Sequence, residues 1–295
     1  MPVQILELPK QFRLRTSITY PPFKCGRYME EFFYDYILEN KDKIDTDYVY
    51  VPIFWTNLQN HPGFKSQKRN YEIILEGALK KYPIYTKFFT VVQHDDGPQL
   101  KLPLEANMLV FGACTGDIPL PLIYEDTNQT LPNVPTTTPA IILASFVGSN
   151  TNSIRKAMCD TLASHKSDIF LSVNEMWTPS ITQSAADLFI EKTLASKFCL
   201  APRGYGRSSF RFFEAMLLDR IPVYFWDDKE WLPYKEHLDY SQFAVSIHIS
   251  QINNTYEILK NISDETYSNM LRELHHVRHW FTLEGMSEYI ISKIY

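Results

Sequence analysis

Apolar residues along this chain follow two alternating patterns. Short β-branched or aromatic runs alternate with longer stretches whose apolar positions lie three and four residues apart, which predicts an α/β protein. Tyr28 to Leu38 reads as a helix. Asp47 to Phe54, ending against Trp55, reads as a strand. Residues 66 to 81 form an amphipathic helix with Tyr71, Ile74, Leu75, Ala78 and Leu79 on one face, and Pro83 ends it. Strands follow at Lys87 to Gln93 and at Asn107 to Gly112.

Residues 125 to 139 break the alternation with threonines and prolines and predict a linker. Beyond it the pattern restarts. Strands are expected at Ala140 to Val147, Asp168 to Val173, Lys197 to Ala201, Ile221 to Trp226 and Gln242 to Ile247. Helices are expected at Ser153 to Ser164 (with Ser153 as N-cap), Thr182 to Ala195, Ser208 to Leu218 and over most of the last 40 residues. The expected organisation is two Rossmann-like, doubly wound domains, residues 1–130 and 140–295, facing a cleft. Ligands are then expected beyond the carboxyl ends of strands.

Composition narrows the function. A net charge of −5, with lysines and arginines scattered along the chain, argues against a nucleic-acid interface. The four cysteines form no CxxC pair, which argues against a zinc knuckle. The first ten residues lack a basic start and an apolar core of signal-peptide length, and no apolar run is long enough to span a membrane. The expectation is a soluble, cytoplasmic protein with free thiols, whose Asn-x-Ser/Thr sequons at Asn128, Asn253 and Asn261 occur by chance.

The stretch from Ser196 to Met216 carries the most chemistry. A buried strand runs into a Gly-x-Gly turn and then a helix, which sets Ser208 and Ser209 at a helix N-terminus, where backbone N–H groups and the helix dipole favour an anion. Arg203, Arg207 and Arg211 add forked donors suited to phosphate. Gly204 and Gly206 allow close backbone approach. Glu214, one to two turns into the helix, could accept from a ribose diol. Read without context, the same turn could be a solvated helix entry, because Gly-x-Gly alone is weak.

The wider pattern resembles the exostosin family, glycosyltransferase family 47. Phe198-Cys199-Leu200-x-Pro-x-Gly, Ser209-x-Arg211, Glu214-Ala215, Ile221-Pro222-Val223 and Leu232-Pro233 are similar to its donor-side signature. Asp47 to Trp55, His94 to Pro98, and Ser145 to Gly148 followed by Ile154-Arg155 resemble its upstream elements. Two positions depart from the family pattern. Asp96 stands where the family has tryptophan, and Asp219-Arg220 where it has Gly-Cys. The chain also resembles the short, anchorless exostosin-like transferases of large algal viruses.

The resemblance implies a GT-B type enzyme that inverts the anomeric carbon, with a UDP-sugar co-substrate (UDP-xylose favoured), no other cofactor, and a glycan or glycoprotein acceptor. A homo- or hetero-oligomer stays open. So does the alternative of a non-catalytic sugar-nucleotide or glycan-binding partner of an active transferase. It further implies donor binding by Arg155, Arg203, Gly204, Tyr205, Ser208, Ser209, Arg211 and Glu214. The acceptor hydroxyl needs a base, and Asp95 is favoured over His94 and Asp96, although the three also read as a simple turn. Trp55 is a candidate stacking surface for acceptor sugar. No metal site is expected, because the Asp45-Thr46-Asp47 triplet precedes a strand instead of following one.

Overall fold

In the computed structural model the described residues are 1–16, 20–101 and 107–295. They divide into two compact units, each built on a parallel sheet with flanking helices. The α/β class expected from the alternating periods is therefore what the chain forms.

The first unit comprises Met1–Ile18, Gly26–Glu125 and Thr282–Tyr295. Its elements are β1 (Gln4–Ile5), α1 (Met29–Asn40), β2 (Tyr48–Tyr50), α2 (Trp55–Asn60), α3 (Phe64–Leu79), β3 (Lys87–Val92), β4 (Asn107–Gly112) and β5 (Ile118–Pro119). The strands lie in sequential order, β1-β2-β3-β4-β5. The expected strand from Asp47 to Phe54 is cut to Tyr48–Tyr50. Val51 still donates to Phe89, but Pro52 has no N–H to continue the ladder. The chain then turns into α2. The core cluster includes Leu6, Phe12, Val51, Trp55, Leu75 and Val92.

The second unit comprises residues 19–25 and Asp126–Phe281. It contains β6 (Ile142–Ser149), α4 (Ser153–Leu162), β7 (Ile169–Asn174), α5 (Gln183–Leu194), β8 (Ser196–Pro202), α6 (Phe210–Leu217), β9 (Ile221–Trp226), β10 (Val245–His248), α7 (Thr255–Lys260) and α8 (Asp264–Val277). Asn152, one residue before the expected Ser153, caps α4 by accepting from the Ile154 N–H. Thr182 caps α5 as its hydroxyl predicts.

The units differ from the expected domains at both ends of the chain. Residues 19–25 belong with the second unit. The terminal helix α9 (Leu283–Ile294) belongs with the first, where it packs on α1 and buries Leu283, Met286, Tyr289, Ile290 and Ile294. A helix with that much apolar surface joins whichever face covers it, and spacing along the chain does not reveal which one.

Candidate donor and acceptor sites

The strands of the second sheet run in the order β10-β9-β8-β6-β7. The chain passes from β6 outward to β7, then returns to the other side of β6 for β8. Strand order therefore reverses between β6 and β8, the kind of position where α/β sheets open a crevice beyond their carboxyl ends. A recess with about 70 Å³ of water-accessible volume lies there. Val147, Gly148 and Ser149 from the end of β6, Asn174 from the end of β7, Arg155 from α4, and Ser209 and Arg211 at the start of α6 line it. Among the described residues no carboxylate lines it.

Two arginines are held rigidly at this recess. The Arg155 guanidinium donates to the carbonyls of Ser149, Pro202 and Arg203 at 2.9–3.3 Å. Arg211 donates Nε to the Val147 carbonyl at 3.0 Å and Nη1 to Glu214 at 2.6 Å, and its guanidinium lies 4.4 Å from the Phe189 ring centroid. Ser209 is the N-cap of α6 in extended conformation, and its side chain makes no capping bond. Guanidinium charge and an uncapped helix start meeting in one recess suit a phosphate-bearing ligand.

Of the residues expected to bind donor, Arg155, Ser209 and Arg211 line the recess, and the others lie outside its lining and make contacts of their own. Arg203 clamps its own loop. Its Nη1 pairs with Asp227 at 2.5 Å and Asp228 at 3.0 Å, while Nε and Nη2 bond the carbonyls of Gly206 and Tyr205. Arg207 pairs with Asp228 at 2.6 Å, and this bond holds the Asp228 carboxyl well below its usual range. The Asp227-Asp228 pair after β9 is thus the anchor for the whole β8–α6 loop. Gly204 donates to the Ser208 carbonyl, and a Cβ on Gly204 would meet Arg155 Nη2 at 3.3 Å. Tyr205 points outward, 63% exposed, and Ser208 is buried. Glu214 is 2% exposed and pairs with Arg211 at 2.6 Å, so in this structure its carboxylate holds an arginine in place.

Three aromatic residues complete the recess: Tyr20, Trp177 and Phe210. The Trp177 ring stands edge-on to Tyr20 with centroids 5.3 Å apart and donates its indole N–H to the Tyr20 hydroxyl at 3.1 Å. Phe210 also stands edge-on to Tyr20, with ring centroids 6.3 Å apart. Trp177 is 44% exposed at the rim of this recess. Its signal was present, since no apolar periodicity surrounds residues 175–181 to bury it.

In the first unit, His94 to Gly97 follow β3 as a tight turn, closed by the Gly97 N–H on the His94 carbonyl at 3.0 Å. Gly97 has φ +68°, and a Cβ there would meet the Thr115 side chain at 2.6 Å. His94 Nδ1 accepts the Asp96 N–H at 3.2 Å, which places the proton of the neutral ring on Nε2. Burial lowers the His94 pKa against the pull of Asp95 and Asp96. Asp95 and Asp96 are exposed. The Asp95 carboxylate accepts the Cys114 thiol, a weak donor, at 3.3 Å. Trp55, expected as a stacking surface, is 0% exposed and donates its indole N–H to Thr90 at 2.9 Å, so its ring faces the core. The four cysteines are free, and Asp45 and Asp47 precede β2 as expected.

A family model for the exostosin GT47 domain matches residues 24–262 of the 295. The chain belongs to the exostosin GT47 family. Relatives in Arabidopsis thaliana include one probable glycosyltransferase that is 37% identical over 89 residues, and another that is 27% identical over 128. These matches cover 30% and 43% of this chain but only 18% and 25% of the relatives' lengths. Solved structures similar to it include WaaG, a glycosyltransferase involved in lipopolysaccharide biosynthesis, at 10% identity and TM-score 0.43 over 92% of this chain and 97% of that one. A glycosyltransferase from Rickettsia africae is similar at 11% identity and TM-score 0.44, over 95% and 84%.

The Asp219-Arg220 departure from the family pattern has a local explanation. Asp219 takes φ +53° after α6, a conformation glycine adopts without strain. Its carboxylate accepts from Thr136 at 2.6 Å and pairs with Arg278 at 2.9 Å, which offsets the backbone cost. Arg220 is buried and bonds the carbonyls of Leu194, Thr138 and Asp219. Asp96, in place of the exostosin tryptophan, sits exposed in the turn. Among the described residues no helix is long and apolar enough to cross a membrane.

Proposed function

We propose that this exostosin domain is an inverting, GT-B type glycosyltransferase that moves a sugar from a UDP-sugar to a glycan hydroxyl. The observation that carries the reading is the recess at the β6/β8 reversal, with two fixed guanidinium groups, the start of α6 and an aromatic wall. A nucleoside diphosphate has the matching parts: a flat base for Trp177 and Tyr20, and a charged diphosphate for Arg155, Arg211 and the α6 N-terminus.

In the proposed reaction an acceptor oxygen attacks the anomeric carbon as the bond from that carbon to the diphosphate breaks. The electron pair leaves with UDP, and fixed positive charge stabilises the growing negative charge. The acceptor proton goes to a carboxylate. Asp95 is the preferred base, because it is exposed and among the described residues is held by a single weak thiol bond, whereas His94 has Nδ1 occupied and a proton on Nε2. UDP-xylose is the favoured donor, on the resemblance to the viral enzymes. A cytoplasmic setting and a glycoprotein acceptor go with that reading.

Because the charged side chains that line the recess among the described residues are arginines, they supply the counter-charge for the diphosphate. Transfer from UDP-xylose, or from another UDP-sugar in a donor screen, is therefore expected to persist in excess EDTA. Loss of all activity in EDTA, with recovery on adding manganese or magnesium, would overturn this assignment of the charge.

A further inference from the structure

Glu30, in the first turn of α1, is a charged-type residue in an unusual place: it is 0% exposed. Its Oε1 accepts three hydrogen bonds, from the Thr56 N–H at 3.2 Å, the Thr56 hydroxyl at 2.8 Å and the Gln93 N–H at 2.8 Å. Gln93 is the residue immediately before His94, and its own side chain accepts the Met29 N–H at 3.0 Å. One carboxylate therefore fastens the starts of α1 and α2 to the carboxyl end of β3, where the His94–Asp96 turn begins. Its other oxygen, Oε2, is buried with no hydrogen-bond partner among the described residues. Burial raises the Glu30 pKa to about 7, against the lowering effect of the bonds from Gln93 and Thr56. For stability alone a neutral side chain would serve better there.

We propose that Glu30 is a positioning residue for the His94–Asp96 turn, and that its charged form draws in the Gln93 N–H and sets Asp95 for acceptor deprotonation. This rests on the reading of that turn as the acceptor-side base. A carboxylate accepts more strongly than a carboxylic acid, so ionisation tightens the Gln93 bond and the turn behind it. The titratable groups around this carboxyl are Tyr50 on β2, whose hydroxyl feels the Glu30 charge, with Tyr34, Asp35 and Arg13 acting on Tyr50 as well. His94 titrates nearby and is the rival source of any pH effect.

Glu30→Gln keeps an acceptor oxygen and removes the ionisation. A carboxyl with its folded pKa raised binds its proton more tightly in the folded state, so wild-type stability falls as pH rises from about 4.5 to about 7. Glu30→Gln should therefore be more stable than wild type at pH 8, by on the order of 10²-fold in the folding equilibrium, and equal to it near pH 4. Despite this gain, its kcat for transfer at pH 8 should fall 10-fold or more, with UDP affinity unchanged, since small displacements of a reacting group cost rate steeply. Its transfer profile should also lose a limb near pH 7 that His94→Gln retains. Unchanged kcat and pH profile, or reduced stability at pH 8, would overturn the proposal. Absence of transfer by the wild-type chain itself, with any UDP-sugar, would instead count against the enzymatic reading.

Discussion

Arg211→Ala is expected to be the most destabilising single change at the donor recess. It removes the cation from Glu214, which is buried and accepts from Arg211 at 2.6 Å, and it takes the donor from the Val147 carbonyl. Removing one partner of a buried ion pair costs about 3–5 kcal/mol. At about 2–4 °C per kcal/mol for a chain of this class, the thermal midpoint should fall by roughly 6–20 °C. The double variant Arg211→Met with Glu214→Leu should regain most of that stability, because apolar replacement removes both charges together. It should not regain UDP affinity, because the lost charge faces the recess. Thermal unfolding with and without UDP checks both parts. A single variant as stable as wild type, or a double variant that binds UDP normally, contradicts the role given to Arg211.

Asp95→Asn should have the largest effect on turnover. Asparagine keeps the shape and can still accept from Cys114, but it cannot take a proton at neutral pH. General base catalysis contributes about 10²–10⁴-fold, and kcat for transfer should fall by that order. UDP affinity should stay within about twofold, because the proposed diphosphate contacts all lie in the second unit. Steady-state transfer assays together with UDP titration separate the two quantities. Near-normal transfer would move the base to Asp96 or elsewhere, and a parallel loss of UDP affinity would mean that the turn also contributes to donor binding.

Much of this architecture was legible in the residues. The alternation of strand and helix periods reads as the α/β class that the chain forms. Local signals failed where tertiary partners decide the outcome. Arg203, Arg207 and Arg211 look alike along the chain, and the difference lies in Asp227 and Asp228, which come after the next strand and capture the first two. Trp55 follows a strand and looked accessible, but Pro52 ends the ladder early and the chain turns Trp55 into the core. Glu30 carried no motif at all: its importance comes from Thr56 and Gln93, which only the fold brings to it. The recess itself follows from strand order, since a reversal between β6 and β8 is a property of topology and not of any single segment.

We place the nucleoside diphosphate in the second unit's β6/β8 recess. Hydrogen–deuterium exchange of the whole chain, with and without saturating UDP, tests it directly. Protection is predicted in peptides covering residues 147–155, 174–185 and 203–211, where the lining strand ends, helix starts and aromatic wall lie. Exchange unaltered by UDP there, or protection confined to peptides of the first unit around residues 87–112, would contradict it.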